Sequence, residues 1–345
     1  MIPFIQSAKN ESKAYVKELK IFASPWSPPA WMKTNGHLNG KGEIRGKPDG
    51  IYYGAWADYL IRFLNEYKKY NIDFWGLTIQ NEPLDGSFDN FAFNCLGMTP
   101  EQQRDFIIQT LGPKLNVSGY GPDQLKLMIM DDQRPLIKQW TETVLSNKEA
   151  AKYVAGVAFH WYLNTLTSPD TLIEAHKKYP NYFLLSTEAC EGSSPLEIDK
   201  VALGSWQRAE NYALDIITNL QYSTNGWVDW NMALDMKGGP NWADNKVDSP
   251  IIINEMAQEY YKQPMYYALA HFTRFLPVGS IRLQTTVEID NPIEVVAFQT
   301  PNNSTVFITL NRYENDIKLQ VYDAHYGFFN VNVGGHSIQT FVWFD

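Results

Sequence analysis

From residue 18 to 231, short apolar runs rich in β-branched and aromatic residues alternate with stretches of helical spacing, the rhythm of a parallel sheet with helices between its strands. The runs predict six strands: Leu19 to Trp26, Phe74 to Glu82, Leu125 to Asp132, Val154 to Tyr162, Tyr182 to Glu188 and Gly226 to Trp230. Between the first two, Trp56, Tyr59, Leu60, Phe63, Leu64 and Tyr67 recur at the spacing of one helix face, with Asp58, Arg62, Asn65 and Lys69 opposite. Another helix is predicted to start after Thr99, a capping residue, with Pro100 at its first position and Gln102 placed to close a capping box. Gly112 and Pro113 are expected to stop it. Helices follow at Pro135 to Leu145, Pro169 to Lys178, Trp206 to Leu220 and Pro264 to Phe275. After Pro277 the spacing changes to alternation, which predicts strands at Ile281 to Ile289, Ile293 to Gln299, Thr305 to Asn311, Ile317 to Tyr322 and Ser337 to Phe344. The chain therefore reads as an α/β part, 1–277, followed by a small β-sandwich part, 278–345.

A length of 345 residues allows a core of real size. Lys plus Arg is 29 and Asp plus Glu is 38, giving a net charge of -9, and there is no basic run to neutralise a phosphate backbone, so no nucleic-acid partner is expected. Aromatic residues make up 14% of the chain against 19% charged, enough to offer ring faces to sugars or lipid chains as well as to the core. Cys95 and Cys190 form no C-x-x-C, which leaves one bridge or two thiols open. Six histidines occur without H-E-x-x-H, so no metal is expected, and no other cofactor is indicated. There is no G-x-S-x-G elbow, and Gly40-Lys41-Gly42 lacks the Ser or Thr of a phosphate loop. No apolar run approaches the roughly 18 residues of a spanning helix, and Met1 to Gln6 does not have the pattern of a secretory leader. Sequons at Asn10, Asn116, Asn302 and Asn303 would accept glycan in a secreted chain.

The predicted parallel strands all finish in polar or aromatic residues, at the end where loops open and chemistry gathers. These endings are Ser24-Pro25-Trp26, Gln80-Asn81-Glu82, Asp131-Asp132-Gln133, His160-Trp161-Tyr162, Thr187-Glu188 and Trp230-Asn231. Glu82 and Glu188 each stand at the mouth of an apolar strand, and a carboxyl pair is what glycoside hydrolysis needs: one protonated to help the leaving oxygen depart, one ionised to attack the anomeric carbon. The charge on one raises the proton affinity of the other, and burial among Trp and Tyr acts in the same direction, so the acid is expected to stay protonated. Trp26, Trp230, Tyr162 and Phe93 offer apolar faces, and His160 is the histidine placed to orient a carboxylate.

Longer motifs make a resemblance specific. Ser24-Pro25-Trp26-Ser27-Pro28-Pro29-Ala30-Trp31-Met32-Lys33-Thr34-Asn35-Gly36, Gln80-Asn81-Glu82-Pro83, Ser186-Thr187-Glu188-Ala189-Cys190 and Gly238-Gly239-Pro240-Asn241-Trp242 resemble glycoside hydrolase family 30, as do Asp131-Asp132-Gln133-Arg134 and His160-Trp161-Tyr162-Leu163. The resemblance implies a (β/α)8 TIM barrel joined to a C-terminal β-sandwich, and a retaining hydrolase that splits glucosylceramide into glucose and ceramide. It implies Glu82 as acid/base and Glu188 as nucleophile, with Asn81 on the sugar 2-hydroxyl. Trp26, Trp230 and Asn245 would hold the glucose, and Tyr162 and Phe93 would lie at the mouth. A lysosomal address, a peripheral membrane contact and a saposin-type activator are implied in the same way. Family 30 enzymes cutting β-1,6-glucan or xylan, and a binding paralogue without catalysis, remain alternatives. Only six of eight barrel strands are readable, so the first two are expected to be absent, leaving strands three to eight in a chain of low stability and weak activity.

Overall fold

A computed structural model describes residues 1–13, 19–288 and 293–344. Contacts group the chain into two compact units, Met1–Thr187 and Glu188–Asp345.

The first unit is built on a sheet whose strands run in sequence order: β1 (Phe22–Ala23), β2 (Gly76–Thr78), β3 (Lys126–Gln133), β4 (Val154–His160) and β5 (Phe183–Glu188), the last ending on the first residue of the second unit. β1 pairs with β2, β2 with β3 and β3 with β4, all parallel. All of β2 and nearly all of β3 is buried, as strands covered on both faces must be. The helices here are α1 (Ile2–Ser12), α2 (Ile51–Lys68), α3 (Pro100–Phe106), α4 (Gly112–Val117), α5 (Ile137–Leu145), α6 (Lys148–Ala151) and α7 (Asp170–Lys178).

α2 buries Tyr53, Trp56, Ala57, Leu60, Ile61 and Leu64, while Tyr59, assigned by spacing to the buried face, is exposed and stacks on Trp56 with centroids 5.2 Å apart. α3 carries the predicted capping box, with the Thr99 hydroxyl accepting from Gln102 N and the Gln102 side chain from Thr99 N. Gly112 and Pro113 do not end this helical stretch. It widens into a π turn at Ile107–Leu111 and continues as α4, with Pro113 in the first turn, where a missing N–H costs least. Gly112 is required by close packing, since a Cβ there would lie 2.5 Å from the Tyr153 ring.

The loop after β1 folds around a lysine. Lys33 is fully buried, and its Nζ donates to the carbonyls of Leu38, at 2.9 Å, and Cys95, at 2.6 Å. Burial lowers its pKa against an opposing push from Cys95. Cys95 and Cys190 are both buried, and neither is in a disulfide.

The second unit holds α8 (Trp206–Gln221), a small sheet of β6 (Ala233–Asp235), β7 (Ile251–Asn254) and β8 (Glu259–Lys262), and α9 (Pro264–Thr273). It closes with β9 (Ile281–Leu283), β10 (Glu294–Gln299), β11 (Ser304–Asn311), β12 (Ile317–Asp323), β13 (Gly327–Val333) and β14 (Ser337–Phe344). β14, β11, β10 and β9 form one antiparallel sheet, and β12 and β13 form a hairpin. Ile293, Val295, Ala297, Phe307, Ile317, Leu319 and Val333 from both sheets make one buried cluster, the core of a β-sandwich.

No strand forms over 226–230. There the Asp229 carboxylate accepts from Asn231 N at 3.1 Å, an Asx-type turn that bends the chain where an extended run was expected. The strand expected from Ile281 stops at Leu283, and its far end at Ile289 lies outside the described residues. Among the described residues no helix is long and apolar enough to cross a membrane.

Candidate active site

In the first unit the site grows from an irregularity in β3. The register against β4 slips between Met130 and Asp132, and Met130 and Asp131 both have left-handed backbone, at φ 71° and 60°. Such a bulge re-aims successive side chains and leaves an N–H out of the ladder. Gln103, fully buried on α3, accepts the Met130 N–H at 3.0 Å, which removes the cost of leaving it unpaired.

The redirected Asp131 carboxylate becomes the hub of a buried network. Its Oδ2 accepts from Ser24 Oγ at 2.5 Å and Thr78 Oγ1 at 2.7 Å, and its Oδ1 accepts from Thr187 Oγ1 at 2.7 Å and faces His160 Nε2 at 3.1 Å. Burial alone would raise this carboxyl's pKa, but His160 and the hydroxyl donors outweigh it and hold the group below the ordinary Asp value. The other ring nitrogen of His160, Nδ1, lies 2.9 Å from Glu82 Oε1, and Gln133 Nε2 donates to the same oxygen at 2.7 Å. His160 is thus clamped between two carboxylates, and it can donate to both only as the imidazolium.

Glu82 sits just beyond β2 with φ 40°, a strained conformation for a non-glycine residue. Its N–H donates to Asp131 O at 2.8 Å, which ties it to the bulge. Burial pushes the Glu82 carboxyl up, but the hydrogen bond and charge of His160, with a further hydrogen bond from Asp85, outweigh burial and hold it below the ordinary Glu value. Asp85 moves the other way, up to about 10, through burial and the charge of Glu82. The expectation that burial and a like charge keep Glu82 protonated is therefore not met: His160 outweighs burial and favours the carboxylate. Asp132 is pushed up to about 6 by burial, although it accepts from Leu84 N and Gln133 N.

The other expected residues of this unit lie on the loops after β1, β2 and β4. Trp26 is half-buried and meets Phe93 edge-on at 6.1 Å, and its carbonyl accepts from Gln80 Nε2. Asn81 is buried, its N–H donating to Pro25 O at 2.9 Å. Tyr162 meets the His160 ring edge-on at 6.2 Å. Asp131, Gln133, Thr78, Ser24 and Thr187 were not named as site residues. Their signal was their place at strand ends, but only the bulge shows that Asp131 points into the cluster.

In the second unit Glu188 is buried at the end of β5, and the next carbonyl, of Ala189, accepts Trp230 N–H at 2.9 Å. Glu191, pushed up to about 7 by burial, accepts from Asn211 Nδ2 at 2.9 Å. Asp248 is fully buried and takes hydrogen bonds from Arg208 and Gln263. Asn245 is held by its backbone N–H on Asn241 Oδ1.

Residues 1–276 match the glycosyl hydrolase family 30 TIM-barrel domain, and residues 279–341 match the family 30 beta sandwich domain. The chain belongs to glycoside hydrolase family 30. Lysosomal acid glucosylceramidase of Mus musculus is 46% identical over 343 residues, covering 99% of this chain and 65% of the mouse protein. The chain thus spans just under two thirds of that relative's length. Among solved structures, SrfJ from Salmonella typhimurium superposes with a TM-score of 0.87 at 29% identity, over 100% of this chain and 72% of that one. The endo-beta1,6-glucanase BT3312 superposes with a TM-score of 0.81 at 26% identity, over 100% of this chain and 75% of that one.

Proposed function

We propose that this family 30 chain carries the site of a retaining β-glucosidase that cuts glucosylceramide into glucose and ceramide. The geometric observation that carries a glycosidase site is the Glu82 carboxylate, fixed at a strand end by Gln133 and by a histidine that Asp131 orients from behind. The choice of substrate is supported by the 46% identity to the mouse glucosylceramidase. The five strands of the first sheet are read as the third to seventh of the family barrel, with Glu82 following the fourth and Glu188 ending the seventh.

In this reading Glu188 attacks the anomeric carbon while Glu82 hands a proton to the departing ceramide oxygen, giving a glycosyl-enzyme. Water then adds as Glu82 takes its proton, and glucose leaves with its configuration retained. Asn81 hydrogen-bonds the 2-hydroxyl, and Trp26, Trp230 and Asn245 hold the sugar. Phe93 and Tyr162 line the entrance.

A peripheral contact with the lipid surface is supported by exposed apolar side chains in the second unit's loops: Leu196 at 91%, Ile198 at 95%, Met232 at 81% and Trp242 at 69%. A saposin-type activator would act at such a surface, and a lysosomal location follows from what the mouse relative is called. The likeness to a β1,6-glucanase supports a second reading, cleavage of soluble glucan.

The test is glucose release from glucosylceramide vesicles and from β-1,6-glucan, together with labelling by a cyclitol epoxide. Glucose from the glycolipid and a covalent adduct on the Glu188 peptide, lost in Glu188→Gln, are expected. Turnover of glucan alone moves the assignment to the second reading, and an unlabelled Glu188 removes its role.

A further inference from the structure

The loops after β1 and β2 enclose a cavity that the proposed hydrolysis does not use. The two loops are zipped along their backbones: Gly40 N donates to Phe91 O at 3.0 Å, Cys95 N to Leu38 O at 3.1 Å, Gly42 N to Gly86 O at 2.9 Å and Gly97 N to Gly42 O at 2.8 Å. A Cβ on Gly86, in the turn after Glu82, would fall 1.8 Å from Gly97 N, and one on Gly40 would fall 2.8 Å from Asp89 O, so the chain segments meet there without side chains between them. Lys33 pins the same seam through the carbonyls of Leu38 and Cys95. The Asn35 side chain ties its own loop, donating to Asn39 O at 2.8 Å and accepting from His37 N at 3.0 Å. The walls are therefore set before any ligand arrives, which spares a ligand the cost of ordering them.

The cavity has a volume of about 510 Å³, within the range of about 300 to 1,000 Å³ common for small-molecule sites. His37, Asn39, Lys41, Asp89, Asn90 and Phe91 line it. Among the described residues the side chains of the first five make no hydrogen bond or ion pair, so two amides, a carboxylate, an ammonium and an imidazole stand open. That mixture selects among ligands. An anion would meet Asp89 as well as Lys41, and a metal ion would find a single carboxylate beside a lysine. A neutral sugar meets neither penalty: the amides and Asp89 exchange hydrogen bonds with adjacent hydroxyls, and Phe91 offers ring surface to C–H faces. The position fits the same ligand. Phe91 meets Phe93 edge-on at 5.3 Å and Phe93 meets Trp26 at 6.1 Å, so three rings lead from the cavity to the proposed glucose position.

We propose that this cavity is a second sugar-binding site, which takes a neutral glucosyl unit of a soluble β-glucan and is separate from the residues that cut the bond. The recognition stands on the cavity itself; only its place as a continuation of the glucose position rests on the role proposed for Trp26. The Phe91 ring packs against the sugar, and Asn39, Asp89 and Asn90 bond its hydroxyls.

The test is hydrogen–deuterium exchange of the full chain with a sulfur-linked β-1,6-glucotriose, which is not hydrolysed and so reads binding without turnover. Slower exchange over 35–43 and 88–93 is expected, with Kd raised at least about fivefold in one or both of Phe91→Ala and Asn90→Ala. Asn90 is exposed, so its variant keeps the fold should loss of the Phe91 ring loosen the loop. Protection that is absent or confined to other segments overturns the proposal, as does a Kd that neither variant changes. Inorganic phosphate is the second probe, and protection of these loops by phosphate but not by the trisaccharide also overturns it. Glucose release from the glycolipid without protection of the loops keeps the catalytic reading and discards this site. Protection in a chain that releases no glucose keeps the site and discards that reading.

Discussion

At the scale of single residues the site is an alternation of charge: Asp131, His160 and Glu82. Each member is held by the next, so Asp131 matters without facing the substrate. Asp131→Asn leaves His160 without its rear carboxylate and is expected to lower stability by about 3 kcal/mol at neutral pH, the usual scale for breaking a buried ion pair. The sign with pH follows from the lowered folded-state pKa: the contribution is present above the unfolded value and is lost as pH falls through the folded one. Urea midpoints measured from pH 7 downward should therefore differ most at neutral pH and converge in acid. Glu82, Glu188 and His160 were legible in the sequence because strand ends are where such residues collect. Asp131 was not, since it turns into the cluster only through the bulge in β3.

At the scale of elements, positions fixed by backbone are those a sequence pattern shows least. The bulge in β3 breaks the alternation that would have assigned Asp131 to one face, and the π turn lets a glycine-proline pair lie within a helical stretch. The capping box of α3 and the apolar face of α2 were readable because they depend on spacing alone. β13 was missed although Phe329, Val331 and Val333 alternate with Asn330 and Asn332, a pattern that an asparagine-rich strand makes easy to take for a loop. Gly86→Ala tests the backbone contact. The turn must shift to admit the methyl group, and activity is expected to fall by at least about tenfold, with a smaller loss in thermal midpoint. Comparing kcat/KM with the melting temperature of the same protein separates the two effects.

At the scale of the molecule the barrel-type sheet and the sandwich were both foreseen, and the small sheet of β6 to β8 was not, because its strands are only three or four residues long. Within the second unit, His336 links α8 to the loop after β11. Its Nδ1 lies 2.9 Å from Glu210 Oε1 and its Nε2 3.2 Å from Glu314 Oε1. Hydrogen bonds to Glu210 and then Glu314 raise its pKa above the ordinary value of 6.5. The contribution to stability is therefore full below the unfolded pKa and is lost as pH rises through the folded one. The denaturant midpoint of the unaltered chain should fall as pH rises from the ordinary histidine range upward, and His336→Gln should flatten that fall.

The lysine enclosed in the loop after β1 has a consequence for how the chain ages. An amine so covered is out of reach of acylating and glycating reagents while its loop stays shut, and opening the loop removes the burial that lowers its pKa and leaves an ordinary exposed lysine that such reagents can meet. An adduct on Lys33 would therefore be the mark of a molecule that had once opened.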